Sequence, residues 1–351
     1  MRGNTVAKVS QPAPDTDRAL DALLSEPGVG VGAALAALGG DVVLLGAGGK
    51  IGPTMARMAR AALDEAGSTA EVIAVSRWTD AETRRGLDDA GIRTVAADLA
   101  DPAAYGTLPD AAGMFYLAAM KFGTSGAEHR TWWSNVSIPT LVADRYRGVP
   151  SMIYSTGNVY GLTSLTSGGS RETDVPRPDG DYAQSCLGRE RVFTYAAERW
   201  DTPTTIFRLN YACELRYGVI ADIAQTIAAG SPVDVTMPAA NVAWQGDISS
   251  WALRSIELAA TPPRILNATG PETIPVRTIA TLLAERMGAD ATFTGAEATD
   301  ALLSDASDCF ALYGYPTVPL RTLIDWVADW VSAGNRALGK ATKFEQRRGA
   351  Y

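Results

Sequence analysis

The segment "DYAQSCLGRERVF", residues 181–193, sets Tyr182 and Cys186 four positions apart in what reads as the start of a helix. Residues at i and i+4 share a helical face. A tyrosine that moves a proton needs help, because a free phenol ionises near pH ~10. A nearby cation supplies that help and a thiol does not. A second chemical feature precedes it. "VVLLGAGGKIGPTMARMA" reads as an apolar strand, a glycine loop and a helix, with Gly46, Gly49 and Gly52 in a GxxGxxG spacing. Such a loop turns tightly and lets a pyrophosphate approach the helix N-terminus, where free N–H groups and the helix dipole favour anions. Its place after a strand, before a helix and at the head of a βαβ series gives the pattern its meaning. The next strand ends in "AVSRW". An acidic residue there suits NAD, whereas an arginine accommodates the extra phosphate of NADP. The pair Ser76 and Arg77 favours NADP, while Arg77 stacked on adenine leaves NAD acceptable.

Other chemistries are poorly served. His129 is the single histidine, so no site needing two imidazoles and no HExxH helix exists. A serine triad would have to use His129, in "SGAEHRTWW", and no GxSxG elbow accompanies it. It reads as a polar residue near a helix start. Cys186, Cys213 and Cys309 contain no CxxC pair, which argues against a disulfide framework or a cysteine metal cluster and fits a reducing, cytoplasmic setting. A nucleophilic Cys186 would need a depressed pKa and access, so packing against the cofactor ribose is the simpler role. The formal net charge of -8 gives no global reason to bind nucleic acid or an anionic membrane. Small molecules are the expected partners. "VGVGAALAALGG" is too short and glycine-rich to span a bilayer, and no export signal is read.

These residues need a scaffold. At 351 residues, 46% hydrophobic and 20% charged, the chain is an ordinary folded type longer than one compact core usually holds. Residues 1–40 read as an extension with a polar lead-in and two short helices. From 41 to 210, the apolar runs "DVVLLG", "EVIAVSR", "RTVAADL", "GMFYLAA", "SMIYSTG" and "TTIFRLN" alternate with helical stretches, which predicts a doubly wound α/β fold around a parallel sheet. Ligands on such sheets bind outside the carboxyl ends of the strands. Residues 211–334 read as a smaller, mainly substrate-binding lobe. It holds four helical segments and strand-like pieces at "NVAWQGD" and "RILNATG". Residues 335–351 read as a basic, solvated tail, with a lid or subunit contact as the alternative.

With these pieces in place, the chain resembles the extended short-chain dehydrogenase/reductase family, which includes nucleotide-sugar epimerases and dehydratases. "LGAGGKIG", "AADLAD", "FYLAAMK", "SNVSIPTLV", "IYSTGNVYG" and "DYAQSCLGRERVF" follow its motifs in order, and later pieces extend the resemblance from about residue 41 to 334. The resemblance implies a Rossmann-like, doubly wound parallel sheet with a smaller C-terminal lobe. It implies an NAD or NADP site at Gly46, Gly49, Lys50, Ile51, Gly52, Ser76, Arg77, Asp98, Leu99, Ala118, Ala119, Lys121 and Tyr182. It gives Thr156 the hydrogen bond to the reacting oxygen and Tyr182 the proton transfer. Cys186 stands where the family has a lysine that lowers the tyrosine pKa. The oxidised nicotinamide or Lys121 is then left to assist, or the tyrosine chemistry is lost.

Gly157 and Asn158 replace the acidic pair of the family's dehydratases, leaving Glu214, His129 and Asp181 as stand-ins for water elimination. The expected activity is a redox-neutral epimerisation or dehydration of a sugar, nucleotide sugar or nucleoside through a transient ketone. The alternatives are an NADPH-dependent ketoreductase and a non-catalytic dinucleotide sensor. A homodimer is expected by analogy with relatives.

Overall fold

The structure, a computed structural model, describes residues 12–121, 126–339, 342–347 and 349. Of the polar lead-in, residues 1–17, the first eleven lie outside the described residues, while Thr16 caps the first helix and Asp17 begins it. The apolar runs become strands β1 (Val42–Leu45), β2 (Val72–Ser76), β3 (Arg93–Ala96), β4 (Gly113–Tyr116), β5 (Ser151–Thr156), β6 (Thr204–Leu209) and β7 (Arg264–Ala268). All seven pair in parallel, in the spatial order β3-β2-β1-β4-β5-β6-β7. The order reverses between β1 and β4, and ligands of doubly wound sheets bind at such a switch. The register makes that edge level. Leu45 pairs with both Val75 and Tyr116, so the segments after β1, β2 and β4 leave the sheet together.

Helices cover both faces, as the nearly continuous apolar strands require. The numbered helices are α1 (Asp17–Leu24), α2 (Val31–Ala36), α3 (Gly52–Glu65), α4 (Ala81–Asp88), α5 (Glu128–Trp132), α6 (Ile138–Arg145), α7 (Gly180–Trp200), α8 (Val219–Ala228), α9 (Gln245–Arg254), α10 (Val276–Met287), α11 (Ser307–Tyr313) and α12 (Leu320–Ser332). One face is packed by α2, α3, α9 and α11, the other by α6 and α7. The second lobe has its own core among α8, α10 and α12.

The segment 211–334 therefore divides between both bodies. "RILNATG" supplies β7 of the main sheet, and Ile248, Trp251 and Leu253 of α9 pack on the sheet core. Its short apolar run reveals a strand but not the partner. Only pairing with β6 decides where it belongs.

The N-terminal extension straddles the same two bodies. Leu20 and Leu24 of α1 join the lobe core, whereas Val31 and Leu35 of α2 join the sheet core. Each such leucine contributes on the order of 1.5–3 kcal/mol by leaving water. Arg216 fastens α1 further, its guanidinium reaching Asp17 at 3.1 Å, Asp21 at 2.8 Å and Glu214 at 3.2 Å.

The tail is not simply solvated. The Thr342 backbone N–H and hydroxyl donate to the Asp222 carboxylate at 2.6 and 2.5 Å, and Phe344 is buried in the lobe core. Arg347 pairs with Asp300 and also donates to its carbonyl at 2.9 Å. A basic composition suggested water contact, but these side chains have carboxylate and carbonyl partners on the lobe.

Candidate active site

The glycine loop leaves β1 with Gly46 at φ +89°, where a Cβ would stand 2.7 Å from the Ala118 backbone nitrogen. At Gly52 a Cβ would meet the Ala47 carbonyl oxygen at 2.3 Å. Both glycines are dictated by close backbone approach. Gly49 differs. Its nearest neighbour would be 3.4 Å away, so its lack of a side chain serves the open space beside it rather than the packing. No side chain caps the start of α3, so its first N–H groups are left to an anion.

Above the loop lies a cleft of about 740 Å³, a size usual for small-molecule sites. Gly46, Gly49, Lys50, Ile51, Gly52 and Ala119 line it from the sheet edge, and Lys121, Thr156 and Tyr182 line it further on. The second lobe contributes Tyr217 and Gly218, and the tail contributes Thr342 and Lys343. Lys50, Lys121, Arg189 and Lys343 are cationic, and no carboxylate belongs to the described lining. In a chain of net charge -8 this cleft is locally built for anions.

Thr156 closes β5, and its hydroxyl accepts the Asn158 backbone N–H at 3.2 Å, which fixes the turn that follows. Tyr182 stands in the first turn of α7, 8% exposed, with Lys121 Nζ 5.9 Å from its ring centroid. Burial pushes the Lys121 ammonium pKa down to about 8, against the opposing influence of Cys186, Asp222 and Glu345. Lys50 rests 3.3 Å above the Tyr217 ring, bridging the loop to the second lobe.

Cys186 does not line the cleft. It packs behind Tyr182 with Val159 and Tyr160, so the expected contact with a cofactor ribose is replaced by a core contact. Burial pushes its thiol pKa up, which leaves it a poor nucleophile. Ser76, Arg77, Asp98, Leu99 and Ala118 also lie outside the cleft lining. Arg77 is exposed at the end of β2, the Asp98 carboxylate accepts the Ala100 N–H of its own turn at 3.0 Å, and Leu99 is in the core. The stand-ins for water elimination are elsewhere too. Glu214 is engaged by Arg216, Asp181 accepts the Trp132 indole N–H at 2.7 Å, and His129 is exposed on α5.

Two residues absent from the expected site bear on it, Arg189 in the cleft lining and Asn135 buried outside that lining. Asn135 lies in a π-helical turn, Trp133–Ser137, a distortion frequent at functional sites. Its amide oxygen accepts the Met120 N–H at 2.9 Å and Arg189 Nη2 at 3.0 Å, and its amide nitrogen donates to the Met120 carbonyl and the Ser185 hydroxyl, each at 3.0 Å. Arg189 shares the α7 face of Tyr182 and Cys186. That spacing was readable from the helical period, and the resemblance of "SNVSIPTLV" to the family's asparagine-containing helix was a signal for Asn135, whereas the π-helical turn that delivers it was not readable.

The fold and cleft together define a doubly wound, Rossmann-like architecture with a second lobe over the switch point. No family model and no curated protein matches the chain. Solved structures do resemble it. MoeE5 in complex with UDP-glucose and NAD is 21% identical at a TM-score of 0.67, covering 84% of this chain and 99% of that one. UDP-glucuronic acid 4-epimerase from Bacillus cereus, with UDP-glucuronic acid and NAD, is 17% identical at a TM-score of 0.71 over 84% and 99%. UDP-glucose 4-epimerase from Thermotoga maritima, with UDP-glucose, is 16% identical at a TM-score of 0.69 over 84% and 99%. At these identities the likeness is one of fold, and the expected Rossmann-like architecture is borne out.

Proposed function

We propose that the protein is an NAD(P)-dependent epimerase acting on a sugar or nucleotide sugar through a transient ketone. The observation that carries this reading is the cleft itself, where the bare glycine loop, Thr156 and Tyr182 meet among four cations and no described carboxylate. The cations suit a dinucleotide and a substrate bearing phosphate or carboxylate. The missing carboxylates leave water elimination without its acid and base, so epimerisation is preferred to dehydration. UDP-sugar 4-epimerases with NAD share the fold.

Gly46, Gly49, Gly52 and the uncapped start of α3 would hold the pyrophosphate. An oxidised nicotinamide held there would supply reversible hydride transfer at a ring carbon of the substrate. Tyr182 takes the proton from the hydroxyl on that carbon and gives it back after the ketone has presented its other face. Thr156 hydrogen-bonds the same oxygen. A one-way NADPH-dependent reduction is the second reading, favoured by Arg77, an exposed guanidinium just after β2 that could pair with an extra phosphate. Trp132 and Trp133, exposed beside α7, and Tyr195, exposed on it, form the face on which a homodimer would close.

Incubation with UDP-glucose and with UDP-glucuronic acid, followed by chromatographic separation of the 4-epimers, tests the proposal. Interconversion without net formation of NAD(P)H is expected. Steady NADPH consumption with a carbonyl substrate, or a dehydrated product, would replace it.

A further inference from the structure

We propose that Arg189 supplies the standing positive charge for the Tyr182 hydroxyl that a lysine at position 186 would otherwise provide. This rests on reading Tyr182 as the proton-transferring residue. Tyr182, Cys186 and Arg189 follow one another along one face of α7, at i, i+4 and i+7. Arg189 is 2% exposed and yet belongs to the cleft lining.

Its guanidinium is held only by neutral acceptors among the described residues. Nη1 donates to the Tyr154 carbonyl at 2.8 Å, and Nη2 to Asn135 Oδ1 at 3.0 Å, with Cys186 Sγ at 3.6 Å. Nε has no partner among the described residues. The adjacent carboxylate, Glu190, is occupied by Arg208, whose Nε and Nη2 reach it at 2.9 and 2.6 Å, and by the Ser155 hydroxyl at 2.5 Å. Among the described residues the Arg189 charge thus has no ion pair of its own, and in a buried site its field is weakly screened. Burying a guanidinium without a carboxylate is costly, which a purely structural role for this residue does not explain.

Other groups facing Tyr182 serve less well. Cys186 lies between the phenol side and Arg189, and burial keeps it a neutral thiol that leaves the guanidinium charge intact. Lys121 faces the ring from the end of β4, but its ammonium, with Lys343, Asp222 and Glu345 around it, gives up its proton near pH 8. A phenol must ionise above that point unless it is assisted. The guanidinium stays charged throughout. Asp181 is turned to Trp132, and Tyr116, 5.8 Å beneath Arg189, is kept neutral by burial. Arg189 is therefore a positioning residue for the Tyr182 proton, aimed by Asn135 and the Tyr154 carbonyl.

The test is direct titration of residue 182, replaced by 3-fluorotyrosine in the full chain and followed by fluorine NMR, which needs no substrate. The wild-type phenol is expected to ionise below free 3-fluorotyrosine. Arg189→Met should raise that value by a unit or more, Arg189→Lys should restore most of it, and Lys121→Met should move it less. A wild-type value at or above that of the free amino acid overturns the proposal even if Arg189→Met fails to fold. So does an Arg189→Met protein, folded by its thermal transition, that titrates as the wild type does. Loss of the epimerase reading would instead appear as absent sugar turnover with the titration behaving as expected.

Discussion

Glu190 and Arg208 form an ion pair beneath the cleft, 2.6 Å from Oε2 to Nη2, with each side chain only 3% exposed. Arg208 continues to the Tyr160 hydroxyl at 2.7 Å, and that hydroxyl donates to Asn267 Oδ1 at 2.8 Å. The chain of bonds links α7, β6, the turn after β5 and β7. Removing one charge strands the other in the core. Glu190→Gln, which keeps the shape, should cost about 3–5 kcal/mol in denaturant unfolding; a variant within ~0.5 kcal/mol of wild type would show that the pair is not the structural anchor.

Tyr182→Phe removes the proton carrier and little else. Turnover should fall by roughly 10²–10⁴-fold, while dinucleotide affinity, read by calorimetry, changes little. A parallel loss of binding would mean that the ring, not the hydroxyl, is what the site needs.

Gly46→Ala places a methyl group where φ is +89° and the Ala118 nitrogen is 2.7 Å away. The expected outcome is a stability loss of more than ~1 kcal/mol with loss of dinucleotide binding. Gly49→Ala, with 3.4 Å of room inside the chain, should leave stability nearly unchanged and weaken binding alone. Equal stability losses at the two positions would contradict the assignment of Gly49 to the ligand space.

Lys121 gives the cleft a pH-dependent charge. Its pKa lies at about 8, below that of an ordinary lysine, so affinity for an anionic ligand should weaken as pH rises through 8. Lys121→Met should abolish that step. Stability moves oppositely. Above pH 8 the unfolded chain binds the proton that the folded chain has released, so wild-type stability should rise relative to Lys121→Met, by on the order of 3 kcal/mol between pH 8 and 10.5. Unfolding both proteins by denaturant across that range measures the difference, and parallel curves would show that the ammonium keeps an ordinary pKa.

The strands and the loop glycines were legible in the sequence because each announces itself locally, through an apolar run or a fixed spacing, whereas Thr156 and Tyr182 were marked only by the resemblance of "IYSTGNVYG" and "DYAQSCLGRERVF" to family motifs. What escaped depends on distant partners. Arg189 acquires its role from Asn135 and the Tyr154 carbonyl, and Cys186 is removed from the cleft by Val159 and Tyr160. β7 is assigned by β6, and the tail residues are fixed by Asp222 and Asp300. A helical face can be drawn from the period alone, but which side of it meets a ligand is decided by elements far along the chain.

The contribution of Thr342 and Lys343 to the cleft bears on how the protein is made. A ribosome delivers the glycine loop early and these residues late, and domains tend to fold in the order they emerge. The residues around Gly46 thus exist before the opposite wall does, but the sheet that carries them is itself completed only with α9, β7 and α11, which alternate along the chain with helices of the second lobe. The two bodies are therefore finished together, and the wall of the cleft is closed when Thr342 reaches Asp222, by the segment translated last among those that line it.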